Sequence, residues 1–238
     1  VNRVKVTVTL TLLMVSGAAV ATDCVVLLHG LARTSSSLSK MEETLRDEGY
    51  ATANIDYPSR DYEIAELAEI AVEKGLATCR AEVGIEKIHF VTHSLGGILL
   101  RQYLSTSSIA ELGRVVMLGP PNQGSRASDE LQGVPGFDWL NGPAGYQLGK
   151  GANSVPLALG PVDFELGVIA GNRSIDPITS AILDNPDDGR VSVEDTKVEG
   201  MDDFVVVEHS HAFMMRMRRP IELTKTFLRT GRFSDTAD

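Results

Sequence analysis

Short apolar runs alternate with stretches of helical periodicity along the first half of this chain, and that alternation restricts the fold more than any other feature. Val25, Val26, Leu27 and Leu28 form a continuous apolar run, and 51–55, 85–91 and 114–118 read as further strands of similar length. Between them, 35–48 places Leu38, Met41 and Leu45 on one helical face, and 61–79 does the same with Ile64, Leu67, Ala68, Ala71 and Val72. Residues 96–105 continue the pattern with Ile98, Leu99, Leu100, Tyr103 and Leu104. Consecutive strands separated by helices point to parallel neighbours, which need a long crossover that a hairpin turn cannot supply. More strands are expected at 166–170 and 204–207, and a closing helix at 212–229, interrupted or restarted near Pro220. The expected class is α/β: a mostly parallel sheet with helices on both faces, a three-layer sandwich.

The middle of the chain breaks the rhythm. From 119 to 161 it is dense in Gly, Pro, Asn and Ser, with short helices expected near 127–132 and 144–149. About 125–161 reads as an irregular cover able to wall a cleft, because a connection this long in a compact domain usually has a function. At the other end, Arg3 and Lys5 precede an uncharged run from Val6 to Thr22 that closes on Ala19-Val20-Ala21. A basic start, an apolar middle and a small-x-small ending make 1–21 a signal peptide cut after Ala21, so 22–238 is expected as one exported domain, secreted or periplasmic. The competing reading of that segment is a first strand, since Val4, Val6 and Val8 alternate with polar residues. The run is short for a membrane span. A net charge of -10 argues against nucleic acid, which demands a dense cationic surface.

The sequence has two cysteines, Cys24 opening a strand and Cys79 closing a helix. In a parallel sheet those positions share one edge, so an exported chain is expected to join them in a disulfide. Two buried thiols are the alternative.

The chemistry concentrates at Thr92-His93-Ser94-Leu95-Gly96-Gly97, between the strand 85–91 and the helix 96–105. A serine at such a junction is held in a tight turn above the sheet edge, with a helix N-terminus beneath it. Gly96 supplies the small residue that the turn needs, whereas Thr92 stands where the usual Gly-x-Ser-x-Gly pattern has glycine. The plain alternative for Ser94 is a helix N-cap. A nucleophilic serine requires N–H donors for the charge that develops on a carbonyl oxygen. Leu95, directly after Ser94, offers one, and Leu31, in the loop after Leu28-His29-Gly30, offers the other. Gly30 lets that loop turn inward, and His29 is expected to hold it by a hydrogen bond.

The ordered set His29-Gly30, His93-Ser94-Leu95-Gly96-Gly97, Asp188-Gly189 and Ser210-His211 resembles the alpha/beta-hydrolase fold family, and within it the small bacterial lipases and carboxylesterases. Leu118-Gly119-Pro120-Pro121-Asn122-Gln123-Gly124-Ser125 adds to the likeness, which spans roughly 24–232. It implies a triad in the chain order Ser, Asp, His. Asp184, Asp187 and Asp188 are acid candidates, with Asp176 a weaker one, and the resemblance selects Asp188 because it precedes Gly189. Of His209 and His211, it selects His211, which is followed by Ala212-Phe213-Met214-Met215. His93 then packs near the acid or base loop. Phe137, Trp139, Phe213 and Met214 are candidate substrate contacts.

The implied activity is hydrolysis of short to medium acyl esters through an acyl-enzyme, with water as acceptor. A long-chain lipase and an acyltransferase or thioesterase are the alternatives on the same triad, and a binding protein on a hydrolase scaffold is the non-enzymatic one. Zinc on His209 and His211 would leave the serine turn unexplained, and Asp184, Asp187, Asp188 and Glu194 lack the spacing of a calcium loop. The glycines near 30 and 96 lack dinucleotide spacing, so no cofactor is expected.

Overall fold

A computed structural model describes residues 22–234; the leader read in 1–21 lies outside the described residues. Among the described residues, six strands form one parallel sheet: β1 (Thr22–Leu28), β2 (Ala51–Ile55), β3 (Ile85–His93), β4 (Leu112–Leu118), β5 (Leu166–Gly171) and β6 (Asp203–Val207), in spatial order β2-β1-β3-β4-β5-β6. The long helices are α1 (Ser39–Asp47), α2 (Ile64–Arg80), α3 (Leu95–Leu104) and, at the chain's end, α8 (Arg218–Thr230). The 119–161 region contributes α4 (Arg126–Leu131), α5 (Phe137–Tyr146) and α6 (Val155–Ala158), and the connection after β5 contributes α7 (Pro177–Ile182).

Strand alternation explains the layers. Val26, Leu28, Phe90, Val115 and Met117 point to one face and pack with α2 and α3 residues such as Leu67, Val72, Ile98 and Leu99. Their neighbours Val25, Leu27, Val91, Val116 and Leu118 point to the other face, against Met41 and Leu45 of α1 and Ile221 and Phe227 of α8. Both faces are covered, which is why the strands read as continuous apolar runs rather than as alternating ones.

The structure refines several boundaries. A 3₁₀ turn, Ser35–Leu38, precedes α1, and α5 is kinked at Gly142 ahead of Pro143. The segment 171–190, read as a loop from sequence, contains α7. Asp176 caps that helix by accepting from the N–H groups of Ile178 and Thr179, and these bonds, above all the one from Thr179, lower its carboxyl pKa.

Cys24 and Cys79 are joined, with Cα atoms 5.8 Å apart, at the edge where β1 begins and α2 ends. The bridge closes a loop with a sequence separation of 55 residues. Replacing both cysteines by serine is therefore expected to reduce unfolding free energy by about 2–4 kcal/mol, mainly by freeing the unfolded chain. Guanidinium denaturation of the double variant measures this; a midpoint equal to that of wild type would contradict it.

Candidate active site

The catalytic candidates come from the carboxyl ends of three strands. Ser94 follows β3 and is the cap of α3, with φ +53, a backbone region that a non-glycine residue rarely enters. Its N–H donates to Leu118 O at 2.9 Å, which fixes the turn to β4. Two glycines make room for it. A Cβ on Gly30 would lie 2.8 Å from His93 Nδ1 and 3.2 Å from Ser94 Cβ, and one on Gly96 would lie 2.5 Å from Leu28 O. The β1 loop and the serine turn thus press directly on each other.

Thr92 departs from the usual motif without opening the turn. Its side chain is buried beneath α3, and a Cβ on Gly97 would come within 3.2 Å of Thr92 Oγ1.

His211 lies in the loop after β6, where its Nε2 accepts from Ser94 Oγ–H at 2.9 Å and its Nδ1–H donates to Asp188 Oδ2 at 2.7 Å. Asp188 is buried, and its other oxygen, Oδ1, accepts from the N–H groups of Arg190 at 2.9 Å and Val191 at 2.8 Å. Both carboxylate oxygens are therefore committed, and the acid is held in place. Its carbonyl also accepts from His211 N–H at 2.9 Å, so the acid and base loops are joined twice. Ser94, His211 and Asp188 form a Ser–His–Asp triad.

Asp187 and His209 have other surroundings. Asp187 is buried but turned from the imidazole: it accepts from Gly189 N–H at 2.7 Å and Ser180 Oγ–H at 2.6 Å, tying the acid loop to α7. His209 is half-buried, and no hydrogen bond of its ring occurs among the described residues.

His93 lies under the base. Its ring is 4.7 Å from that of His211, and its Nε2–H donates to His211 O at 3.0 Å. Burial, then repulsion by His211 and Arg33, holds its pKa well below the ordinary histidine value, so it stays neutral. His29 is buried too. Its Nδ1–H donates to Gly30 O at 2.8 Å while its ring stacks on Tyr57, 4.0 Å between centroids. Burial lowers its pKa.

The backbone N–H of Leu95 begins α3 and so has no acceptor within the helix. That of Leu31 makes no hydrogen bond among the described residues. The adjacent Ala32 has φ +54 and donates its N–H to Ser59 Oγ at 3.1 Å, which holds the loop in this form.

The four candidate substrate contacts do not come together. Phe137 is buried against Tyr146, whereas Trp139 is 79% exposed with Arg60 over its ring. Phe213 is 47% exposed beside the base, and Met214 is fully buried among α8 residues, beneath the site rather than on its wall. A cavity of about 770 Å³ between Arg60, Glu63 and the α5 residues Asp138, Pro143 and Tyr146 is lined by neither Ser94 nor His211.

Sequence reasoning quoted Gly119 only as part of the family likeness, without a role at the site, and missed Gly171. A Cβ on Gly119, at φ +55, would sit 3.0 Å from His211 Nδ1 and 3.1 Å from Asp188 Oδ2, and one on Gly171 would sit 2.8 Å from Asp188 Cβ. Both are at strand ends beside the acid–base pair, and that placement was the available signal. It also missed Arg101. This buried guanidinium donates to Asn122 Oδ1 at 3.0 Å and Gly160 O at 2.6 Å, and burial pushes its pKa down to about 10.

Comparison with known proteins agrees with this fold. Solved structures similar in fold include Bacillus licheniformis lipase BlEst2 in mature form, 20% identical with a TM-score of 0.71 over 91% of this chain and 95% of that one. The metagenomic carboxyl esterase MGS0156 is 19% identical with a TM-score of 0.62, over 82% and 66%. Phospholipase PlaB from Legionella pneumophila is 19% identical with a TM-score of 0.61, over 74% and 46%. No curated protein matches the sequence. The model describing the alpha/beta hydrolase family matches residues 25–222, most of the chain. The chain belongs to the alpha/beta hydrolase family.

Proposed function

We propose that the protein is an exported carboxylic ester hydrolase that acts through an acyl-enzyme on short to medium acyl chains. The observation that carries this reading is the continuous relay from Ser94 Oγ through His211 to the buried Asp188. His211 Nε2 takes the Ser94 proton as Oγ attacks the ester carbonyl. Asp188 holds the Nδ1–H tautomer and stabilises the imidazolium that forms. The N–H groups of Leu31 and Leu95 serve as donors to the tetrahedral oxyanion. His211 then returns its proton to the leaving alcohol, and water, activated by the same imidazole, releases the acid.

The cover favours soluble esters. It is fastened to the body at several points: Ser125 Oγ–H to Arg190 O at 2.6 Å, Ile64 N–H to Gln147 Oε1 at 2.8 Å, and Arg101 to Gly160 O. A lid that must swing open at an oil–water interface would have to break these bonds. The exposed Val134, Trp139 and Leu140 support the second reading, a lipase, as do the names of two similar structures. The names of lipase, phospholipase and carboxyl esterase agree on ester cleavage and differ in substrate. Export fits the disulfide and the leader-like residues 1–21.

An acyl series of p-nitrophenyl esters, from acetate to palmitate, tests the substrate range. kcat/KM is expected to rise by at most about fourfold per methylene, the equivalent of ~0.8 kcal/mol, until the cleft is full. The optimum should fall at octanoate or shorter. A maximum at laurate or beyond, with strong hydrolysis of emulsified triolein, would transfer the assignment to lipase.

A further inference from the structure

Many cations of this acidic protein have a carboxylate partner. Arg46 pairs with Glu42, Arg80 with Glu111, Arg126 with Asp184, Lys150 with Asp195 and Lys225 with Glu48. Three arginines at the catalytic edge have none among the described residues, and each belongs to a different loop of the site. Arg33 is two residues beyond Leu31, in the turn closed by its own N–H to Gly30 O at 3.3 Å. Arg190 is two residues beyond Asp188 and donates its backbone N–H to that carboxylate. Arg216 follows the base loop and reaches back to the β1 loop, with Nε 3.3 Å from Ser37 O and Nη2 3.4 Å from Ser36 O.

The guanidinium groups of Arg33 and Arg190 make no hydrogen bond or ion pair among the described residues. The loops that carry the three arginines meet at the triad: Arg216 reaches Ser36 O and Ser37 O, just beyond the Arg33 turn, and the acid and base loops are joined by His211 N–H to Asp188 O at 2.9 Å. The lowering of the Arg33 pKa, first by burial and then by the Arg216 and Arg190 charges, agrees with that placement. Asp176 caps α7 through Oδ1 and feels the Arg190 charge, but makes no ion pair with it among the described residues. Ala32, at φ +54, holds the turn that presents Arg33. Arg33 is half-buried whereas Arg190 and Arg216 are exposed, so the charge whose burial an anion would offset is that of Arg33, carried beside the turn at Ala32. An anion placed among the three would relieve the repulsion and take up the unused donors, and the guanidinium fork matches carboxylate and phosphate oxygens.

We propose that Arg33, Arg190 and Arg216 form an anion-binding subsite beside the triad, which takes esters carrying a carboxylate or phosphate group near the scissile bond. The inference deepens the ester-hydrolase reading and rests on it for the word substrate. It does not rest on that reading for the binding of an anion.

Two esters with the same five-carbon acyl chain separate the charge from the chain: mono(4-nitrophenyl) glutarate and 4-nitrophenyl pentanoate. In wild type, the ratio of kcat/KM for the charged over the neutral ester is expected to exceed that of Arg33→Gln or Arg190→Gln by about tenfold, the lower end of what a hydrogen bond to a charged group contributes. Arg33→Lys should restore part of it. Calorimetry with inorganic phosphate provides an arm that needs no turnover: wild type binds, and the Arg33→Gln/Arg190→Gln double variant does not. A glutarate effect without phosphate binding assigns the site to carboxylates, and phosphate binding without a glutarate effect assigns it to phosphate esters. An unchanged ester ratio together with no phosphate binding overturns the subsite. Hydrolysis of neither ester by wild type, with phosphate still bound and the binding lost in the double variant, overturns the hydrolase reading and leaves the subsite standing.

Discussion

Ser94→Ala is expected to fold as wild type does and to lose about 10⁵- to 10⁶-fold in kcat on any p-nitrophenyl ester. The loss is large because the hydroxyl is the attacking atom: without it there is no acyl-enzyme, and what survives is the acceleration that bound water gains from the oxyanion donors. Folding is spared because Ser94 holds its turn through its backbone, by the N–H to Leu118 O, while its hydroxyl bonds to His211. The measurement is kcat alongside thermal unfolding, with a fluorophosphonate probe as a covalent check. Wild type should be labelled once and the variant not at all. A variant that retained a tenth of wild-type kcat would remove Ser94 from the chemistry and require another nucleophile.

The second large effect belongs to the acid–base pair. His211→Ala is expected to approach the serine variant in severity, because among the described residues no other imidazole bonds to Ser94 Oγ. Asp188→Asn should cost on the order of 10⁴ in kcat, since an amide that keeps its bonds to Arg190 and Val191 N–H presents NH₂ to Nδ1 and favours the wrong tautomer. The neighbours provide the contrast. His209→Ala should leave kcat within roughly twofold, as expected of a side chain outside any such network. Asp187→Asn should lower stability by about 1–3 kcal/mol through its buried bonds to Gly189 and Ser180, and slow turnover far less than the Asp188 change. Kinetics and melts on the four purified variants decide the matter. If Asp187→Asn were the slower enzyme of the two acid variants, the acid would have to be reassigned.

The sheet was legible because both its faces are buried, so Val25, Leu27 and their alternates all had to be apolar and the run stood out. The serine turn was legible because a strand end, a helix start and Gly96 fall within a few residues of one another. The acid and base were harder. Asp187 and Asp188 are adjacent, and His209 and His211 are two apart, so local sequence gives each pair the same neighbourhood. What separates them is long-range: Asp188 faces the β6 loop, Asp187 faces α7. Helix α7 itself carries a readable sign in Asp176-Pro177, a capping side chain followed by proline at the first helical position. That sign is easily masked, because an aspartate after the fifth strand also reads as a candidate acid. The bond from His93 to the His211 carbonyl joins groups 118 positions apart and leaves no mark in sequence. Arg101 shows the same limit, since a buried guanidinium that pairs with carbonyls and an amide has no complementary carboxylate to betray it.

The backbone of Ser94 carries one more consequence. At φ +53 a glycine would rest more comfortably than any residue with a side chain, so the position that the chemistry needs most is one at which the fold gains least from a serine. Stability and turnover therefore draw this residue in opposite directions. A lineage relieved of the need to cleave esters would be free to drift toward glycine there and would gain robustness by doing so, whereas the surrounding close contacts at Gly30 and Gly96 would be kept for packing alone. Among descendants of such an ancestor, the identity of this single residue would report whether selection still acts on catalysis, while the glycines on either side would report only that the fold survives.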